Sequence, residues 1–385
     1  MVKITSCQFF TSTKDLPEKW ENLAANNSFL SIPYLTFLSN ASPVNFTNFY
    51  IGLYVEEELQ GIGLAQLIDL RQVAHFGIRD SYLTKTLRSF LFKNFSGQLF
   101  IVGNNLMTGS HALTIQDHIQ PESALNVIQD FISKYFKKSI HLTIWKDLDP
   151  SKLNSFHSLT SNSFYKFSAQ PNMVLELKQS WKSFDDYTLD LTKKYRDQLK
   201  RSRKKGERLV KKILDKNDLV FYQQQMFDLY MHVANHAPFN TFFLPKNHFI
   251  ELKNQFGSQF RVCGYFLADE LVAFNSIILT QDVVETYFLG YNETIQKEYM
   301  VYLNMLYDML EMGIQDGFRK INFGRTAMEI KSSIGAQANW LTSYMQHRNP
   351  LINRFLSSFY HILEPKLVWK ERHPFKTQND LGSKK

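Results

Sequence analysis

Three charged residues, Arg325, Glu329 and Lys331, fall between Gly324 and Gly335 in the stretch Ile321 to Ala336, which reads INFGRTAMEIKSSIGA. The apolar entry Ile321 to Phe323 reads as a buried strand, so Arg325 emerges where that strand ends, the place at which open α/β sheets bind ligands. Two cations there suit a phosphate, a carboxylate or a developing oxyanion, although an ordinary surface pair with nearby acids reads the same way. Glu329 has two readings: a catalytic carboxylate, or the third helical residue of a capping box that Thr326 opens ahead of Ala327. Upstream, Glu285 lies on a predicted strand, and Tyr287, two residues on, shares its face by strand alternation. The chemistry such a set offers is electrostatic and positional. No Ser-His or Cys-His pattern appears, and neither Cys7 nor Cys263 sits in a nucleophile motif.

His232 and His236 share a helix face at a spacing of four, as metal ligands do, but no third ligand is indicated and no metal is expected. His236 also opens the loop NHAPFNTFFLP, whose aromatics and Asn240 suit an acceptor pocket; packing explains Phe239 and Phe242 equally well. The formal charge of +8 is concentrated, since Lys193 to Lys212 carries eleven Lys or Arg against Asp197 and Glu207. Leu191, Tyr195 and Leu199 dock one side of this segment as a helical stripe, while Lys194, Arg196, Arg201, Arg203 and Lys204 project elsewhere. An anionic partner is expected: a carrier protein, lipid headgroups or tRNA phosphates. Specific duplex DNA is not, because no zinc-finger or zipper pattern accompanies the charge. Near the C-terminus, the stripe Leu351, Phe355, Phe359 and Ile362, with Arg348, Arg354 and Lys366 nearby, reads either as a peripheral contact with an anionic membrane or as a covering helix.

The elements that must position these residues repeat. At 385 residues, 44% hydrophobic and with 33 Phe, the chain is long and apolar enough for two folded cores. FYIGLYVEEELQGIGLAQLIDL is a hairpin turning at Glu56 to Glu58; QLFIVGNN is a third strand; Glu122 to Tyr135 is a helix with Pro121 at its first position; IHLTIW is a strand. The second half gives the same order: the hairpin FRVCGYFLADELVAFNSIIL turning at Ala268 to Glu270, the strand VVETYFLGYN, a long helix Ile295 to Gln315, and the strand KINFG. An amphipathic segment spans Leu16 to Leu38. The predicted fold is α/β with mixed sheets, in two similar domains: residues 1–178, residues 179–350 with a basic first helix, and a helix and fraying tail over 351–385. With two cysteines, no apolar stretch of about 18 residues and no signal-like N-terminus, the expected compartment is the cytoplasm.

This order of elements resembles the GNAT acyltransferase fold. Two in tandem look like the Fem-type aminoacyltransferases and their peptidoglycan-biosynthesis and bacterial ceramide-forming relatives. KKYRDQLKRSRKKG resembles the basic first helix of their second domain, and YFLGYN with FGRTAMEIKSSIGA resembles that domain's core. The resemblance implies an N-acyltransferase that forms an amide on an amine-bearing envelope precursor or lipid, in the cytoplasm or at the inner face of the membrane. It implies Glu285, Tyr287, Arg325, Glu329 and Lys331 as the catalytic set. For substrate binding it implies His236 and Asn240, the strand-end pair Tyr291 and Asn292, and Lys194, Arg196 and Arg201. No tightly bound cofactor is implied; the donor is acyl-CoA, an acyl carrier protein or aminoacyl-tRNA. One departure bears on the donor: GYNETIQKEYMVY lacks the glycine-rich loop that cradles a CoA pyrophosphate, and Glu293 and Glu298 would repel one. An aminoacyl-tRNA-dependent transferase and a non-catalytic binding module of the same fold are the competing readings.

Overall fold

Each half of the chain is built on a hairpin whose inner strand is apolar on both faces. The computed structural model describes residues 1–71, 75–76, 97–136, 140–148, 159, 164–168, 170–237, 239–363 and 369–377. They pack as two units. The first comprises residues 1–169, 236–255 and 340–366, and the second residues 170–235, 256–339 and 367–385.

The first unit holds β1 (Ser6–Phe10), β2 (Phe46–Val55), β3 (Glu58–Asp69), β4 (His75–Phe76), β5 (Gln98–Val102), β6 (Leu113–Ile115), β7 (Leu142–Leu148) and β8 (Tyr165–Phe167). The second unit begins with β9 (Asn172–Glu176) and β10 (Val210–Ile213), and β11 (Phe239–Asn240) pairs back on β4. β12 (Phe260–Leu267), β13 (Glu270–Leu279), β14 (Val283–Tyr291), β15 (Lys320–Asn322) and β16 (Gln337–Asn339) follow in the second unit, and β17 (Thr342–His347) returns to the first. The two sheets run β1-β2-β3-β5-β7-β17-β8 and β10-β12-β13-β14-β15-β9-β16. Each contains one parallel pair, β5 with β7 and β14 with β15, joined across a helical connection as parallel neighbours require. The expected hairpins are β2–β3 and β12–β13. Ala268 and Asp269 both have positive φ, 48° and 65°, as a two-residue turn matching strand twist demands. β13 is buried at every position after its first, the signature of a strand covered on two sides.

Three expectations change. The sequence division placed Asn172 to Leu177 in the first domain, but β9 lies antiparallel to β15, and β17, placed in the second, pairs with β7. Nothing local distinguishes the sheet such a strand joins. The single helix over Ile295 to Gln315 is two, Glu293–Tyr299 and Val301–Gln315, broken at Met300 with φ 48°. Buried Asn304 stands at the break: its Nδ2 donates to the carbonyl of Tyr299 (3.0 Å), which ends the first of the two helices, and to that of Ser202 (2.9 Å) on a neighbouring helix. The segment Leu16 to Leu38 holds two short helices, Trp20–Ala24 and Ile32–Ala41, the second started by Ser31 capping Tyr34 N.

The C-terminal residues of the second unit fasten its core. Thr192 N donates to Pro374 O and Lys376 N to Asp190 O, so order extends to Lys376, and the Phe375 ring meets Trp181 and Tyr187. Gly335, at φ +105°, lies so close that an added Cβ would stand 2.4 Å from that ring. Gly335→Ala is therefore expected to lower stability by about 1–3 kcal/mol through overpacking and backbone strain, read as a shift in urea midpoint.

Candidate active site

β14 and β15 pair only over Val283–Lys320, Val284–Ile321 and Glu285–Asn322. β15 then stops while β14 continues to Tyr291, so among the described residues Thr286 to Tyr291 has no strand partner on that side. Glu285 stands at the last paired position and is 6% exposed. Burial pushes its carboxyl up to about 8; a hydrogen bond from Asn322 and the charge of Lys320 pull the other way without offsetting it. Asn322 is also buried and accepts Gly324 N at Oδ1 (3.0 Å), which couples the carboxyl to the loop beyond the strand.

Tyr287 follows Glu285 by alternation, and at Tyr287 the strand bulges. Opposite β13 the register passes from Asn275–Leu289 to Ile277–Thr286, so Tyr287 and Phe288 together face Ser276 in a bulge. Their rings meet edge-on at 4.6 Å, which neighbours on a regular strand cannot do, and Ser276 Oγ donates to Phe288 O at 2.6 Å. Glu285 lies opposite Ile278 and Tyr287 opposite Ser276, two residues apart on β13, so the face inferred for Glu285 and Tyr287 from a period of two is kept and the bulge adds Phe288 to it.

Past β15 the backbone is strained: Gly324, Thr326 and Ala327 have φ of +68°, +67° and +46°. Helix Met328–Ser332 follows with Ala327 as N-cap and no side-chain cap, so the Thr326–Glu329 capping box is not formed. Glu329 is instead engaged by Arg372, whose hydrogen bond holds the carboxyl below its ordinary value. Arg325 is half-buried and its Nε donates to Gln170 O at 3.0 Å. Lys331 is the larger correction. It is 4% exposed and its Nζ donates to the carbonyls of Arg325 (2.6 Å) and Gly324 (3.3 Å), so it braces the loop rather than presenting charge to a ligand. Burial pulls its ammonium down to about 7.

The other predicted residues divide. Tyr291 ends β14 and Asn292 caps the next helix, its Oδ1 accepting Thr294 N (3.0 Å) and Oγ1 (2.7 Å). Lys194, Arg196 and Arg201 lie on helix Lys193–Lys205, docked through Tyr195, Leu199 and Ser202. Part of the basic excess is structural: Arg203 pairs with Asp308 and Glu311, Lys211 with Asp308, and Lys212 with Asp218. His236 and Asn240 belong to the first unit, Asn240 lying on β11 opposite His75. His232 Nε2 lies 3.5 Å from a Glu293 carboxylate oxygen, so a further donor that the sequence did not indicate does stand beside this histidine. In the C-terminal stripe, Leu351 and Phe355 are 74% and 56% exposed, while the side chains of Phe359 and Ile362, and Lys366, lie outside the described residues. Asn322 and Ser276 were missed. Their one signal is a small polar residue inside an apolar strand, in INF and FNSII.

Residues 193–332, from the basic helix through the Lys331 helix, match the family described as an acetyltransferase (GNAT) domain. Over this segment the chain is similar to the GNAT family. No curated protein matches the chain. Among solved structures it is similar to FemX, at TM-score 0.53 and 9% identity over 94% of this chain and all of that one. It is also similar to L-PGS from Bacillus licheniformis, at 0.51 and 14% over 91% and 95% of the two chains. A tandem GNAT protein from the clavulanic acid biosynthesis pathway gives 0.51 and 8% over 90% and 99%. At these identities the likeness is one of fold, and the fold is tandem GNAT. Within the matched segment, β14 passes into helix Glu293–Tyr299 through Asn292 with no glycine between them and with Glu293 as the first helical residue.

Proposed function

We propose that this chain transfers an acyl or aminoacyl group to an amine of an envelope precursor or lipid, forming an amide. The observation that carries this reading is Glu285, a buried carboxyl poised near neutrality where β14 loses its partner strand. Its carboxylate form accepts a proton from the attacking amine, directly or through one water, as the amine adds to the acyl carbon; collapse of the tetrahedral oxyanion then breaks the bond to the donor's thiol sulfur or ribose oxygen, which leaves with that proton and restores the carboxylate. Backbone N–H groups of Thr286 to Tyr291 that face away from β13 stand ready for the developing oxyanion and the donor's amides. Tyr287, Arg325 and Glu329 line or brace this region, with Lys331 a positioning residue. Tyr291 and Asn292 mark the donor end of β14, and His236 and Asn240 are assigned to acceptor binding.

The donor is carried on a phosphate-bearing molecule and no cofactor is held between turnovers. Lys193, Lys194, Arg196, Lys200, Arg201 and Lys204 show no carboxylate partner among the described residues, which leaves them for such a donor. This favours an acyl carrier protein or, as the second reading, aminoacyl-tRNA over CoA, because Glu293 occupies the point where a CoA pyrophosphate is usually held. No described helix is long and apolar enough to cross a membrane, so a lipid acceptor would be met at the bilayer surface, which we place at the cytoplasmic face.

The test offers purified protein labelled acyl-CoA, acyl carrier protein and aminoacyl-tRNA with amine acceptors, beside mass spectrometry of lipids and wall precursors in a strain lacking the gene. Amide product from one donor, and loss of the matching species in the strain, are expected. Retention of tRNA that falls steeply with salt selects the second reading. No product from any donor with an unaltered profile makes the fold a binding module here.

A further inference from the structure

β10 is the outermost strand of its sheet, and all four of its residues are exposed. Val210 and Ile213 are 66% and 60% exposed. By alternation Val210 and Lys212 share one face, and Lys211 and Ile213 the other. The helix Lys216–Phe221 follows, burying Leu219 and turning Val220 (55% exposed) and Phe221 (78%) outward with Lys216. Val210 and Phe221 are linked through two further rings. Phe221 meets Tyr222 edge-on at 4.8 Å, Tyr222 meets Phe266 at 5.4 Å, and Phe266 lies directly across from Val210. The corner is held in place, since Asp215 and Asp218 form a capping box and Lys212 Nζ reaches Asp218 at 2.7 Å.

A rigid apolar prominence on a soluble surface marks an interaction site. Its setting selects the partner: from Lys200 to Lys216 there are nine Lys or Arg against Glu207 and Asp215, and with Arg203, Lys211 and Lys212 held by Asp308, Glu311 and Asp218, six cations remain around the corner. A second copy would bring like charge onto like charge, and two central lysines oppose strand pairing along this edge. A polynucleotide could stack a base on Phe221 but leaves exposed aliphatic Val210 and Val220 without a partner, which a bilayer interface does not. We propose that the corner of β10 and helix Lys216–Phe221 docks on an anionic lipid bilayer, apolar side chains entering the interface and the surrounding cations meeting headgroup phosphates. This surface is separate from the β14–β15 opening, and its test does not depend on the acyl-transfer reading.

Full-length protein is sedimented with phosphatidylcholine vesicles and with the same vesicles containing about 30% phosphatidylglycerol, at about 0.1 M salt. Binding only to the anionic vesicles is expected, weakened at least tenfold in Val210→Asp/Phe221→Asp and in Arg208→Glu/Lys216→Glu. Unchanged circular dichroism and thermal midpoint check that these exposed substitutions leave the fold intact. Absence of binding to anionic vesicles, or equal binding by the apolar and charge variants, overturns the proposal. So does a halved mass by light scattering in Val210→Asp/Phe221→Asp, which would make the corner a dimer contact.

Discussion

Glu285→Gln is expected to slow amide formation by about 10²–10⁴-fold, the usual range for removing a general base, with little change in fold because the amide fills the same space. The wild-type rate should climb with pH through about 8 as the buried carboxyl ionises, and the variant should lose that limb. Stability gives an independent reading with a fixed sign. The folded carboxyl titrates near 8 and its ordinary value is 4.5, so between these the folded state keeps a proton that the unfolded chain has lost. Wild-type stability must therefore fall as pH rises from 4.5 toward 8, and Glu285→Gln must flatten that slope. A variant that transfers within about threefold of wild type would remove Glu285 from the mechanism, since so small a change lies far below general-base effects. If the rate survives but the stability slope vanishes, the carboxyl is buried as described and the base is another group.

The parts of this arrangement visible in the sequence were those that strand and helix periods report. Both hairpins, the helix after Pro121 and the strand ahead of Gly324 follow from alternation, turn residues and apolar runs, because local geometry dictates them. Long-range pairing wrote no such signal. β9 reads as a strand wherever it pairs, and only the sheet order shows that it closes the second sheet against β15. Arg372 reaches Glu329 from a C-terminal segment read as a covering helix and tail, and it converts a supposed capping residue into an ion pair. The bulge at Tyr287 and Phe288 adds one residue of register, so alternation places Tyr287 with Glu285 but would misplace every residue of the strand beyond it. Lys331 shows the limit most clearly: its place beside Arg325 was legible, but whether the amine faced solvent or the loop's own carbonyls depended on how residues 324–327 turn.

That orientation sets the other large effect expected, in Lys331→Met. The amine is buried, and its only partners among the described residues are the carbonyls of Arg325 and Gly324. Two acceptors match the two N–H groups of a neutral amine and leave the third proton of an ammonium without a partner, which agrees with the shift to about 7 from 10.5. Below 7 both folded and unfolded chains are protonated and the fold carries the whole cost of the buried charge. From 7 to 10.5 the unfolded chain binds the extra proton, so wild-type stability rises with pH. Methionine removes the charge and this slope. Gly324 O keeps its bond from Met173 N, while Arg325 O loses its donor at a cost of about 1–3 kcal/mol. The two stability curves should therefore cross, the variant equalling or exceeding wild type at about pH 6 and falling below it at about pH 9.5, as urea midpoints will show. Parallel curves would mean that the amine reaches water and that its bracing of the strained loop is wrongly assigned. Because Arg325 hangs on the carbonyl that Lys331 holds, a loosened loop should raise KM for the donor more than it lowers kcat, the split that separates a positioning residue from a group acting on the reacting atoms.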